Sequence, residues 1–178
     1  MNQINAIQQF SAFDLRGRYV FSGHDIAKLF PEDTPRALYA GINRLVAQGI
    51  LQRATKGVFV YALSQHKHKY PLEWIAKTMR RGEYSYVSLE SALSEYGAIS
   101  QIPIDRITVM TTGRKGEYKT PFGTIELTHT QRAPLDILAN STVVGRPLRL
   151  ATKQAAYRDL KRVGRNIHLV DEGAIDED

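Results

Sequence analysis

The sequence predicts an α+β protein built from two modules, and three observations predict it. Helix-period apolar stripes in the first third give way to two short β-rich runs around Thr55-Lys56-Gly57. Farther on, strand-like alternation in TIELTHT stands between helical stripes. The charge also divides the chain. Residues 1–82 hold 12 basic and 5 acidic side chains, whereas residues 83–178 hold 12 and 13.

The basic half opens on Asn2 to Phe13, where Ile4, Ile7, Phe10 and Phe13 recur at helical spacing. Tyr19 to Phe21 is short, aromatic and suited to a strand. Ser22 stands three residues before Asp25, the spacing of a helix-capping pair, and Ile26, Leu29 and Phe30 follow on one face until Pro31. Thr34 is placed to accept the free N–H groups of a second helix. Pro35 suits its first position, where a missing N–H costs nothing. Leu38, Ile42, Leu45 and Val46 form the inward stripe, and Gly49 supplies the left-handed residue that ends it. Ile50 to Ala54 and Val58 to Ala62 then read as two strands joined at Thr55-Lys56-Gly57.

Helix, short helix, longer helix and hairpin is the order of a winged helix-turn-helix, in which the second helix of the pair lies in the major groove. Its outward side presents Arg36, Tyr39, Ala40, Asn43 and Arg44. Arg and Asn can hydrogen-bond guanine and adenine edges. Arg53 and Lys56 on the hairpin are expected to neutralise phosphates, which adds affinity without sequence preference. The expected partner of residues 1–68 is therefore double-stranded DNA.

Residues 69–178 are expected to form a smaller α+β domain with an antiparallel sheet. Pro71 opens a helix with Leu72, Ile75, Ala76 and Met79 on one side, and Arg80, Arg81 and Gly82 close it. Ser88 to Gly97 reads as another helix, with Leu89, Ala92, Leu93 and Tyr96 facing one way. RITVMTT, EYKT and TIELTHT read as strands, and TGRKGEY as a basic hairpin turn. Thr152 to Val163 is the last helix, with Ala156, Leu160 and Val163 inward. Its outer stripe of Gln154, Arg158, Lys161 and Arg165 is polar and basic. The tail DEGAIDED either folds back on that stripe and screens it or stays disordered.

Several chemistries are excluded or unsupported. The chain has 178 residues, 43% apolar and 24% charged, so it fills one or two folded domains rather than a disordered tail. With no cysteine there are no disulfides, thiolate zinc sites or cysteine nucleophiles. His66 and His68 lack neighbouring ligands in the sequence, so no metal is expected. His129 reads as packed or exposed. Asp105, Glu117, Glu126 and Asp136 are scattered acids whose convergence the sequence leaves open. No nucleotide-binding loop has the required glycine spacing, so neither a cofactor nor catalytic residues are expected. No uncharged apolar run approaches the ~20 residues of a membrane span. The segment MNQINAIQQFSAF lacks a basic leader, which makes the cytoplasm the expected compartment.

The phrases RGRYVFSGHDIAKLF, ALYAGINRLVAQGILQRATKGVFVY and IAKTMRRGEYSYVSLESALSEYGAI together resemble a known family. They are similar to the AbiEi antitoxins of type IV toxin–antitoxin (abortive infection) systems. The likeness covers Arg16 to Arg132, and Tyr86 to Gly97 carries most of it. The resemblance implies a nucleotidyltransferase-like toxin as partner, encoded alongside. It implies repression of the chain's own promoter through inverted repeats, and antitoxic activity in the C-terminal domain. A basic surface of Arg158, Lys161 and Arg165 is the expected antitoxic element. Reading inverted repeats requires two copies, whether they pair in solution or only on DNA. Two other classes stay open. One is an interaction module that clamps the toxin directly, and the other is a nucleotide-dependent kinase acting on it, for which the sequence holds no motif.

Overall fold

The computed structural model describes residues 1–100 and 104–176 and divides the chain into two compact units, residues 1–79 and residues 80 onward. Both are mixed α and β.

The first unit runs α1 (Gln3–Asp14), β1 (Val20–Ser22), α2 (Gly23–Leu29), α3 (Pro35–Ala47), β2 (Leu51–Thr55), β3 (Val58–Tyr61) and α4 (Pro71–Met79). Its strands form an antiparallel sheet in the order β1-β3-β2. All four residues of β3 are buried, which explains the unbroken apolar run VFVY in the central strand. An aromatic core forms where α1 crosses the sheet. The Phe10 ring lies 5.0 Å from Phe21 and 5.6 Å from Tyr61. Ile4, expected to face inward, is 72% exposed. Six residues separate it from Phe10, which turns it about 120° away on a 3.6-residue helix. Ala6, four residues before Phe10, takes the inward place instead.

The unit ends at Met79 rather than at residue 68 because α4 packs on β1 and β3. Ile75 and Ala76 are fully buried, Trp74 meets Tyr19 edge-on at 6.4 Å, and the Tyr19 hydroxyl donates to Lys69 O at 2.8 Å. The exit loop is tied down as well. Asp14 accepts hydrogen bonds from the Ser64 hydroxyl and from the Gln65 N–H, and the His66 ring lies 3.1 Å from it.

The second unit contains β4 (Ser85–Val87), α5 (Leu89–Glu95), β5 (Arg106–Thr111), β6 (Gly116–Thr120), β7 (Gly123–His129), α6 (Pro134–Ala139), β8 (Ser141–Thr142), β9 (Arg149–Ala151), α7 (Lys153–Val163) and α8 (Glu172–Asp176). The small antiparallel sheet expected here is a six-stranded mixed sheet, in the order β6-β7-β5-β4-β9-β8. β6 and β7 pair antiparallel as expected, but β5 pairs parallel with β7, and β4 parallel with β9. TGRKGEY is therefore not a hairpin turn, since β7 lies between the strands it joins. Helix α5 packs on β5 and on α7. Val163, expected inward, is 37% exposed, and Asp159 takes an inward position on α7.

The segment Ser88 to Ser91 turns the chain from β4 into α5, and each of its residues has a structural task. The buried Ser88 hydroxyl donates to Asp159 at 2.8 Å and so does not cap its own helix. Leu89 is buried with φ at +57°, a left-handed backbone that costs a non-glycine residue of order 1 kcal/mol or more. The surroundings hold that conformation. Thr108 Oγ1 donates to Ser88 O at 2.6 Å and accepts from the Ser91 N–H, while Ser91 Oγ accepts from the Thr108 N–H. Glu90 receives Arg165 at 2.7 Å and 3.0 Å and the Asn166 amide at 3.0 Å.

The described part of the acidic tail returns to α7. Ile175 is buried, Tyr157 donates to Glu172 at 2.8 Å, and Gln154 donates to Ile175 O at 3.3 Å. The last two tail residues lie outside the described residues.

Candidate nucleic-acid interface

Helix α3 owes its position to caps at its start and apolar packing along one side. The Thr34 hydroxyl accepts from the Ala37 N–H at 3.2 Å, and Pro35 occupies the first turn. Gly41, Ile42 and Leu45 are buried, with Leu38 and Val46 partly so. That leaves Arg36, Tyr39, Ala40, Asn43 and Arg44 exposed together on the opposite side. Tyr39 is 65% exposed, which is unusual for a large aromatic, and it stacks on no other ring among the described residues.

The β2–β3 turn carries Lys56, which is exposed, followed by Gly57 in the left-handed region with φ at +74°. The Gly23 N–H donates to Gly57 O at 2.9 Å, so the turn is anchored to the start of α2. Arg53 on β2 is not a loose surface cation. Its Nη2 donates to Asn43 Oδ1 at 3.2 Å, and its guanidinium lies 4.8 Å from the centre of the Phe59 ring. Because an arginine has no acceptor, this contact fixes which end of the Asn43 amide faces it: Oδ1 points to Arg53. Arg44 donates to Met1 O at 3.2 Å. All six sequence-predicted residues are thus exposed, on α3 and on the adjoining hairpin. Two of them are coupled in a way that spacing did not disclose.

The second predicted surface is less uniform. Lys161 is exposed and sits 4.4 Å from the Tyr157 ring centre. Arg158 lies 3.8 Å from Asp136. Arg165 points back into the fold, pairing with Glu90 and, at 2.6 Å, with Glu126. The carboxylate Glu126 also takes Arg106 at 2.9 Å, and Arg106 reaches Glu117 at 3.1 Å. Of the scattered acids, Glu117 and Glu126 therefore meet on Arg106, while Asp136 pairs with Arg132. Burial pushes the Glu90 carboxyl upward, but hydrogen bonds from Arg165, its own backbone N–H and Asn166 outweigh this and hold it below its ordinary value.

Sequence reasoning missed a buried polar group centred on Asp159. It accepts from the Tyr86 hydroxyl at 3.1 Å and from Ser88, and lies 3.4 Å from Arg132. Burial first and the Asp159 charge second push the Tyr86 hydroxyl upward. A signal for it existed: Asp159 falls between Ala156 and Leu160 on the apolar side of α7, where an acid needs partners. Among the described residues, no three His, Asp or Glu side chains gather closely enough to hold a metal ion. No described helix is long and apolar enough to cross a membrane.

The chain matches no protein-family model and no curated protein. Its fold is similar to the crystal structure of the RV2827C protein from Mycobacterium tuberculosis, with a TM-score of 0.54 at 15% identity. The match covers 88% of this chain and 60% of that one, so this chain spans less than two thirds of that protein's length. At this identity the likeness concerns the fold alone.

Proposed function

We propose that the first unit is a winged helix-turn-helix that binds duplex DNA in a sequence-specific manner, and that the chain is a type IV antitoxin that represses its own operon. The carrying observation is the exposed side of α3, with Arg36, Tyr39, Asn43 and Arg44 beside the Lys56 turn. The order α1, β1, α2, α3, β2, β3 and the antiparallel β1-β3-β2 sheet support the winged-helix reading. In this reading α3 enters the major groove, Arg36, Asn43 and Arg44 meet base edges, and Lys56 meets phosphate. The antitoxin role rests on the resemblance to the AbiEi antitoxins, with a nucleotidyltransferase-like toxin as the functional partner.

A mobility-shift titration on the chain's own promoter tests the DNA reading. Asn43→Ala should relax discrimination at one operator position by ~1–3 kcal/mol. Lys56→Ala should weaken all sequences alike and lower the salt slope by about 0.9. Unchanged binding by both variants removes the assignment. Co-expression with the adjacent toxin tests the second role, and failure of the intact chain to rescue growth rejects it.

A further inference from the structure

We propose that the second unit carries its own contact for a nucleic-acid backbone, formed by Arg81, Arg114, Lys115 and Tyr84. Two segments of the chain, residues 80–84 and residues 112–115, are stitched into one platform. The Thr112 N–H donates to Tyr84 O at 2.9 Å, and the Tyr84 N–H donates to Thr112 Oγ1 at 3.0 Å. Arg80 donates to Arg114 O and to the Tyr118 hydroxyl, both at 2.9 Å. The His129 ring lies 2.9 Å from Gly113 O. Gly113 itself is closely packed: a Cβ there would stand 2.9 Å from Arg80 Cδ and 3.0 Å from Glu83 Cγ.

The platform concentrates positive charge. Its two segments hold four basic residues against the single acid Glu83, whereas the rest of the second unit holds ten basic and twelve acidic residues. Glu83 is itself engaged by the Thr112 hydroxyl at 2.6 Å. Arg81, Arg114 and Lys115 are exposed, and neither Arg114 nor Lys115 has an ion-pair partner among the described residues. Tyr84, 43% exposed, puts an aromatic face beside these cations. Cations on a loop whose backbone is held by hydrogen bonds, with an aromatic edge and no aliphatic side chain among them, suit a phosphodiester backbone. A lipid surface would call for apolar residues to insert. The platform begins at Arg80, the residue after the first unit ends, so the chain itself tethers it to any duplex that the first unit binds. Duplex DNA flanking the operator is therefore the assigned ligand, and this assignment rests on the DNA reading of the first unit.

The test uses the full-length chain and its Arg114→Ala/Lys115→Ala variant on two duplexes, one limited to the operator and one extended by unrelated flanking sequence. On the extended duplex the variant should lower the salt slope by about 1.8, which removes roughly a tenfold fall in affinity between 50 and 200 mM salt. On the short duplex the two proteins should bind alike. An unchanged slope on the extended duplex overturns the inference. If Lys56→Ala still lowers the slope on the short duplex in that case, the DNA reading of the first unit stands alone. If neither duplex is bound by the wild-type chain, both readings fall. Binding of anionic vesicles that depends on Arg114 and Lys115, without any effect on duplex, overturns the assignment to nucleic acid.

Discussion

At the residue scale, the coupling of Arg53 to Asn43 separates two roles that the sequence assigned independently. A cation that merely neutralises a phosphate lowers affinity for every duplex when removed, and its loss adds to that of Asn43. A cation that orients the Asn43 amide acts only through Asn43. The 3.2 Å hydrogen bond and the ring at 4.8 Å favour the second behaviour. Arg53→Ala should weaken the cognate operator and barely affect unrelated duplex, and combining it with Asn43→Ala should add little. A double-mutant cycle by fluorescence anisotropy measures this, and strict additivity would return Arg53 to the phosphates. Glu90 supports a pH prediction. Its carboxyl is held below the ordinary 4.5, so its contribution to stability is fully present above that pH and is lost as pH falls through the lower folded-state value. Glu90→Gln should therefore flatten the acid limb of a stability–pH curve followed by urea unfolding, while destabilising the protein near neutrality.

At the element scale, the local rules worked where an element's own sequence decides its structure. The capping pair Ser22–Asp25, the Thr34–Pro35 start of α3 and the glycine turn at Gly57 depend on neighbours within a few residues, and each was legible. The exposed basic side of α3 followed from the same periodicity that buries Ile42 and Leu45. Two features were not legible because long-range pairing decides them. Parallel pairing of β5 with β7 depends on β6 lying outside β7, which no alternation pattern encodes. Arg165 has the spacing of an outward cation on α7, but the chain turns at Gly164, with φ at +78°, and delivers it to Glu90 and Glu126. This changes how the basic surface must be tested. Arg165→Ala leaves the buried Glu90 without its charged partner and, since the arginine is itself 36% exposed and Asn166 stays on Glu90, should destabilise the second unit by roughly 1–3 kcal/mol. Lys161→Ala, on an exposed residue, should stay within about 0.5 kcal/mol of wild type. Thermal unfolding of the two variants checks the contrast, and of the two only the Lys161 variant then gives a clean test of the proposed toxin neutralisation.

At the scale of the whole molecule, the division after Met79 predicts how the chain comes apart. Helix α4 contributes Ile75, fully buried, and Trp74, whose ring meets Tyr19. Burying one Ile side chain is worth ~1.5–3 kcal/mol, and an edge-to-face aromatic pair adds ~0.5–1.5 kcal/mol. A small domain has only ~5–15 kcal/mol in total, so a fragment of residues 1–68 should be close to unfolding, while residues 1–79 should unfold cooperatively. The full chain offers a second measurement. Trp74 is its one tryptophan, and it lies in the first unit. Its fluorescence therefore reports that unit, whereas far-UV circular dichroism reports both. If each unit has its own core, as the separate sets of buried side chains around Phe10 and around Leu160 imply, the two probes should give different urea midpoints. Coincident midpoints with one shared slope would mean that the two units unfold as a single cooperative body, and that a fragment ending at Met79 lacks part of what stabilises it.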